Sequence, residues 1–156
     1  MTYGQQRPQA GGQRGFDRAP APSIDVSDIK FGAGMPDQLF ADIAQDKAKA
    51  IFEAGAGRKN KSTQLRKFYD ELVMWHDKVA FEEIKEGKRD KKYKELAPFI
   101  KMLNAKVAYA RGRDHVDLCF EKLFSHVIRL IADPDTLKHA KLFMEAFMGF
   151  YKAEEK

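Results

Sequence analysis

The feature that most narrows the fold is the spacing of the chain's breakers. From Gly32 onward, glycine and proline signals fall about every twenty to thirty residues, and between them apolar side chains recur at three- and four-residue intervals. Runs that alternate apolar and polar residues around β-branched side chains, the mark of strands, are absent. The pattern predicts an all-α protein, a compact bundle of about five helices.

Breakers and caps set the expected boundaries. Pro36 opens a first helix that runs to about Ala54 with Leu39, Phe40, Ile43, Ala50 and Ile51 inward, and Gly55-Ala56-Gly57 closes it as a glycine C-cap. Ser62 or Thr63 caps a second helix, whose Leu65, Phe68, Leu72, Trp75 and Val79 form one apolar stripe that Phe81 and Ile84 prolong to about Lys85. Pro98 belongs in the first turn of a third helix carrying Phe99, Ile100, Leu103, Val107 and Ala110, with Gly112 as its left-handed cap. A fourth runs from about Asp114 to Ala132. Asp133-Pro134 then starts a fifth, apolar on nearly every side from Leu142 to Tyr151, which is either central in the bundle or covered by another chain. Residues 36–156 are read as this single domain, and residues 1–35, rich in Gly, Gln, Pro and Arg over the first 23, as a disordered tail.

The net charge of +5 and a pI near 9.2 favour acidic partners. Residues 1–35 contribute only +1 of it, so the basic surface belongs to the bundle. The densest cationic stretch, Arg58 to Lys67, holds five Lys or Arg and no acid, and it sits at the start of the second helix. A helix N-terminus carries about half a positive charge and ordinarily recruits Asp or Glu. Free backbone N–H groups, the dipole and basic side chains there suit an anion such as phosphate. Lys and Arg are also common on solvated helix faces, so composition alone leaves both readings open. A second cluster, Lys88 to Lys94, has Glu82, Glu83 and Glu86 nearby as partners and reads as a solvated linker.

Catalytic constellations do not assemble. His76-Asp77 matches part of the helical metal phosphohydrolase pattern, but no histidine precedes His76. His115, Cys119 and His126 share one helix face, yet positions eleven residues apart lie about 16 Å apart along the axis and cannot surround one metal. Cys119, the only cysteine, reads as a core residue in a reducing cytoplasm. There is no Gly-rich phosphate loop ending in Lys-Ser/Thr and no Gly-x-Ser-x-Gly elbow. No signal peptide or run of ~18 apolar residues is present, and a cytosolic protein with no membrane partner is expected. The expected class is a binding protein, with no enzymatic activity, metal or cofactor.

Two stretches carry a family resemblance. Asn60-Lys61-Ser62-Thr63-Gln64-Leu65-Arg66-Lys67-Phe68-Tyr69, followed by Lys106-Val107-Ala108-Tyr109-Ala110-Arg111-Gly112-Arg113, resembles the small subunit of the type III-A CRISPR effector, the Csm interference complex, with helix order matching over about residues 36–152. The resemblance implies a non-catalytic helical bundle that stacks in several copies, contacts other subunits of the complex, and lines the groove where guide RNA pairs with target RNA. Carried onto this chain, its RNA-binding residues would be Lys59, Lys61, Arg66 and Lys67 in the loop and helix start, and Arg111 and Arg113 at the third-helix corner. Arg58 and the Lys88 to Lys94 cluster lie outside the motif positions. A subunit serving any guide should touch phosphates and sugars rather than base edges. Exposed aromatics among the cations are not expected, since Phe68 and Tyr69 alternate with core positions. A helical adaptor that binds an acidic protein through the same patch is the alternative.

Overall fold

The computed structural model describes residues 22–82 and 87–155. The tail proper, residues 1–21, and the expected end of the second helix at 83–85 lie outside the described residues. A 3₁₀ turn at Gly32–Gly34 and a wide π-helical turn at Leu39–Ile43 lead into α1 (Ala44–Gly55), followed by α2 (Ser62–Ala80), α3 (Lys88–Lys101), α4 (Leu103–Gly112), α5 (Leu118–Leu130) and α6 (Pro134–Glu155). Helices α3 and α4 follow one path that tightens at Met102, where the Ala105 N–H bonds to the Met102 carbonyl at 2.9 Å, so the fold is an all-α bundle of five rods. Among the described residues there is no strand, and no helix is long and apolar enough to cross a membrane.

α6 is central. Leu137, Ala140, Phe143, Met144, Phe147 and Tyr151 are buried along it, and it packs chiefly against α1 and α2 and also touches α3 and α5. Its all-round apolarity is therefore used inside the bundle. A chain of rings ties the rods together: Phe68 of α2 meets Phe124 of α5 at 5.3 Å, Phe120 meets Phe147 of α6 at 6.3 Å, and Phe52 of α1 meets Tyr151 edge-on at 5.8 Å. Each such ring contributes roughly 1.5–3 kcal/mol by leaving water, which makes this ladder the main support of the end where α1 stops and α5 starts.

Several boundaries differ from the sequence reading. Residues 22–35, grouped with the tail, lie on the bundle: Ile29 is fully buried, Lys122 Nζ donates to the Ile24 carbonyl at 2.8 Å, and Asp28 pairs with Lys47 at 2.9 Å. The few apolar residues of this stretch could not order it alone, but they add to a surface that the helices have already formed. Pro36 precedes the first helical turn instead of opening it. α2 stops at Ala80, and Phe81, placed on the apolar stripe, is 90% exposed. α3 begins at Lys88, so Pro98 lies inside it and not in its first turn. The left-handed residue after α4 is Asp114 (φ 62°) rather than Gly112. The His115 N–H reaches back to the Ala110 carbonyl and the Asp114 N–H to that of Arg111, the Schellman pattern with Asp114 in the position that turns the chain. α5 accordingly starts at Leu118, capped by Asp117, four residues later than expected. Asp133-Pro134 starts α6 as read, with the Asp133 carboxylate accepting from the Thr136 N–H at 2.8 Å.

Candidate nucleic-acid interface

The basic loop is built around Asn60, which is only 1% exposed. Its backbone is left-handed (φ 60°), a conformation Asn tolerates better than most residues. Its side-chain amide donates to the Ile51 carbonyl at 3.0 Å and to Asp117 Oδ1 at 2.9 Å, while its Oδ1 accepts from the Asp117 N–H at 2.9 Å. Its backbone N–H donates to the His115 carbonyl at 3.0 Å, and its carbonyl accepts from the Tyr151 hydroxyl. One buried residue thus ties α1 and the start of α5 through its side chain and the far end of α6 through its backbone carbonyl, with its polar groups paired. Gly55 packs tightly beneath it, and a Cβ there would stand 3.1 Å from the Asn60 Cβ, close enough that the knot would have to shift by a few tenths of an ångström.

That knot joins two stretches about a third of the chain apart. Arg58 and Lys59 from the loop and Arg111 from the end of α4 line one recess of about 340 Å³, with Pro22 at its edge and Asp114 and Asp117 also on its walls. Lys59 also borders a neighbouring hollow with Lys61, Gly57 and Glu155. Lys59 pairs with Asp114 at 3.3 Å and Arg111 with Glu121 at 2.8 Å, exposed pairs of the kind that exchange readily with a competing anion. Lys61 and Lys67 are exposed and have no ion pair among the described residues, and the same holds for Arg58. At α2 the N-cap is Lys61, not Ser62 or Thr63, because Lys61 takes the extended conformation (ψ 142°) and its carbonyl accepts from Gln64 and Leu65. No side chain caps that end and no acid occupies its first turn, whereas α5 and α6 are each capped by an aspartate.

The remaining site residues lie outside the recess. Arg66 and Lys67 are exposed on the first turns of α2, with Arg66 beside Asp70 at 3.7 Å. Arg113 points away from Arg111: its guanidinium donates to the Tyr109 hydroxyl at 2.8 Å and lies 5.7 Å from the Tyr109 ring centre. Tyr109 is 65% exposed, which corrects the expectation that no aromatic stands among the cations. The signal was available, since Leu103, Val107 and Ala110 point inward and leave position 109 on the outer face. Asn60 and Asp117 were also missed as the residues that hold the site, because their pairing is a long-range contact with no sequence period.

The second cationic cluster serves the fold. Arg89 donates to the carbonyls of Glu82 and Ala80, each at 2.7 Å, closing the exposed end of α2, and Lys92 lies 4.0 Å from Glu95. The expected pairing through Glu83 and Glu86 lies outside the described residues. His76 bonds its neighbour Asp77 at 2.9 Å, and His126 donates to the Ile29 carbonyl at 2.9 Å. No group of three or more metal-ligating side chains occurs among the described residues. Cys119 is buried, and burial, reinforced by the Asp117 charge, pushes its thiol up to about 11, which makes it a poor nucleophile near neutrality.

Neither a search of curated proteins nor a search of solved structures returned a match. A family model described as Csm2 Type III-A matches residues 37–156, which takes in the basic loop, the α4 corner and all six helices. The chain therefore belongs to the Csm2 Type III-A family, the small subunit of the type III-A Csm complex that associates with the other subunits of that effector.

Proposed function

We propose that this small subunit is a non-catalytic, cytoplasmic RNA-binding protein that stacks in several copies and holds the backbone of the guide and target RNA through Lys59, Lys61, Arg66, Lys67, Arg111 and Arg113. The observation that carries the reading is the recess where Arg58, Lys59 and Arg111 converge from distant parts of the chain, on a loop whose backbone Asn60 fixes. Such a site recognises phosphate by charge and donor geometry and imposes no base sequence. The uncapped, acid-free start of α2 adds backbone N–H groups beside Lys61. No cofactor is needed for this role, and cleavage chemistry is left to other subunits.

The test is binding of labelled single-stranded RNA of arbitrary sequence at two salt concentrations. Wild type should bind weakly and lose affinity steeply with salt, with a logarithmic slope of roughly 0.7 per phosphate contacted. Lys59→Glu/Lys61→Glu should weaken binding about tenfold or more and flatten the slope, whereas Lys91→Glu/Lys94→Glu on the second cluster should leave both unchanged. Equal effects from the two double variants would reduce the recess to general surface charge. Indifference of wild type to RNA, with capture of an acidic protein instead, would turn the reading to an adaptor.

A further inference from the structure

Most of the exposed apolar surface gives no indication of a ligand. Phe81 and Phe99, 90% and 53% exposed, lie on the α2–α3 side near Asp77 and Glu82, where an RNA backbone would be repelled, and Phe99 is already stacked on Trp75 at 5.9 Å. Tyr109 differs in both respects. It stands on the last turn of α4, four residues before Arg113, with no acidic side chain paired to it among the described residues.

We infer that Tyr109, oriented by Arg113, is a stacking platform for an unpaired nucleobase of single-stranded RNA. The inference rests on the RNA-binding reading and deepens it, adding a base contact to a surface otherwise assigned to phosphates. Three observations carry it. The ring is 65% exposed, so a planar ligand can reach it. Its far end is held by the 2.8 Å bond from Arg113, so the ring is oriented before any ligand arrives and loses little freedom on binding. Arg113 has no carboxylate partner among the described residues, since the neighbouring Asp114 is engaged by Lys59; its guanidinium is spent on the ring and presents a second planar cation beside it. A phenol ring and a guanidinium side by side match the chemistry by which splayed bases are bound. Every base has a π face, so such a platform contributes affinity without choosing a sequence.

The experiment uses the full chain with two probes: a twelve-nucleotide single-stranded RNA carrying 2-aminopurine at alternate positions, and the same ribose-phosphate chain with abasic residues throughout. Wild type should quench the 2-aminopurine and prefer the base-bearing strand by about fivefold or more, the lower end of what one stacked base contributes. Tyr109→Ala should abolish both the quench and the preference, binding the two strands alike, while Tyr109→Phe, which keeps the ring, should retain both. Lys59→Glu/Lys61→Glu should weaken the two strands equally and leave the preference intact. If wild type binds both strands alike, or Tyr109→Ala keeps the quench, the platform is overturned while phosphate binding stands. If wild type binds neither strand, the underlying RNA reading falls and the inference falls with it.

Discussion

The chain carries two cationic clusters at helix starts, and they are put to different uses. At α3 the fold uses part of the positive charge: Arg89 reaches back to the carbonyls of Ala80 and Glu82, Asp90 occupies the first turn, and Lys92 lies near Glu95. At α2 no cation bonds a backbone carbonyl among the described residues, and the pairs Lys59–Asp114 and Arg66–Asp70 are solvent-exposed. The loop is fixed by the neutral side chain of Asn60, the first turn holds no acid, and Arg58, Lys61 and Lys67 face solvent without an ion pair among the described residues. The density of Lys and Arg is similar in both. The difference is that backbone carbonyls of the fold take up Arg89, whereas the cations at α2 meet only exposed carboxylates or solvent, which a ligand can displace.

The largest effect expected from breaking this contrast is on Asn60. Asn60→Ala removes bonds to the Ile51 carbonyl and to both groups of Asp117, leaves the Asp117 N–H without its partner, and puts Ala in a left-handed conformation that it accepts poorly. We expect a loss of about 3 kcal/mol or more in denaturant unfolding, together with weaker RNA binding although no cation has been changed. Arg89→Ala should cost less, about 2 kcal/mol for two charge-assisted bonds to helix-terminal carbonyls, and should leave RNA binding unchanged. A stable Arg89→Ala protein with impaired RNA binding would erase the distinction between the clusters.

Much of the architecture was legible because breakers and apolar periods act locally. The Asp133-Pro134 start of α6 and the inward stripe Leu65, Phe68 and Leu72 follow from neighbours a few residues away. Where the reading failed, a tertiary contact chose between local options. Gly112 could have taken the left-handed turn, but α4 unwinds at Asp114, where the chain hands on to the His115 carbonyl that Asn60 needs. Phe81 continued the period of α2 faultlessly, yet the helix ends one residue earlier and Arg89 binds its last carbonyls. The site follows the same rule: the cations can be read from the sequence, but the meeting of Arg58 and Lys59 with Arg111 depends on the Asn60–Asp117 pair, which no spacing reveals.

The smallest predicted effect concerns the wall behind the recess. Cys119 lies in the first turn of α5, and its pKa, raised from the ordinary 9.0 to about 11, owes most to burial and less to Asp117, whose carboxylate is shared with Asn60. Below about pH 8 the thiol is neutral in the folded and unfolded chain alike, so it adds no pH dependence there. Between about pH 8 and 11 the unfolded chain ionises first and binds fewer protons, so stability falls as pH rises. Tyr151 and Tyr93, raised by burial, add to the fall above about pH 9, while Lys101, lowered by burial, opposes it near its own titration. The window from about pH 8 to 9, below the tyrosine range, therefore isolates the thiol best, and Cys119→Ala should show a flatter stability profile there than wild type. Asp117→Asn keeps the burial and removes only the charge, so it should speed reaction of the native thiol with a disulfide reagent modestly. A large acceleration would mean that the Asn60–Asp117 knot had opened and exposed Cys119, so the size of the change separates an electrostatic role for Asp117 from its role in closing the recess.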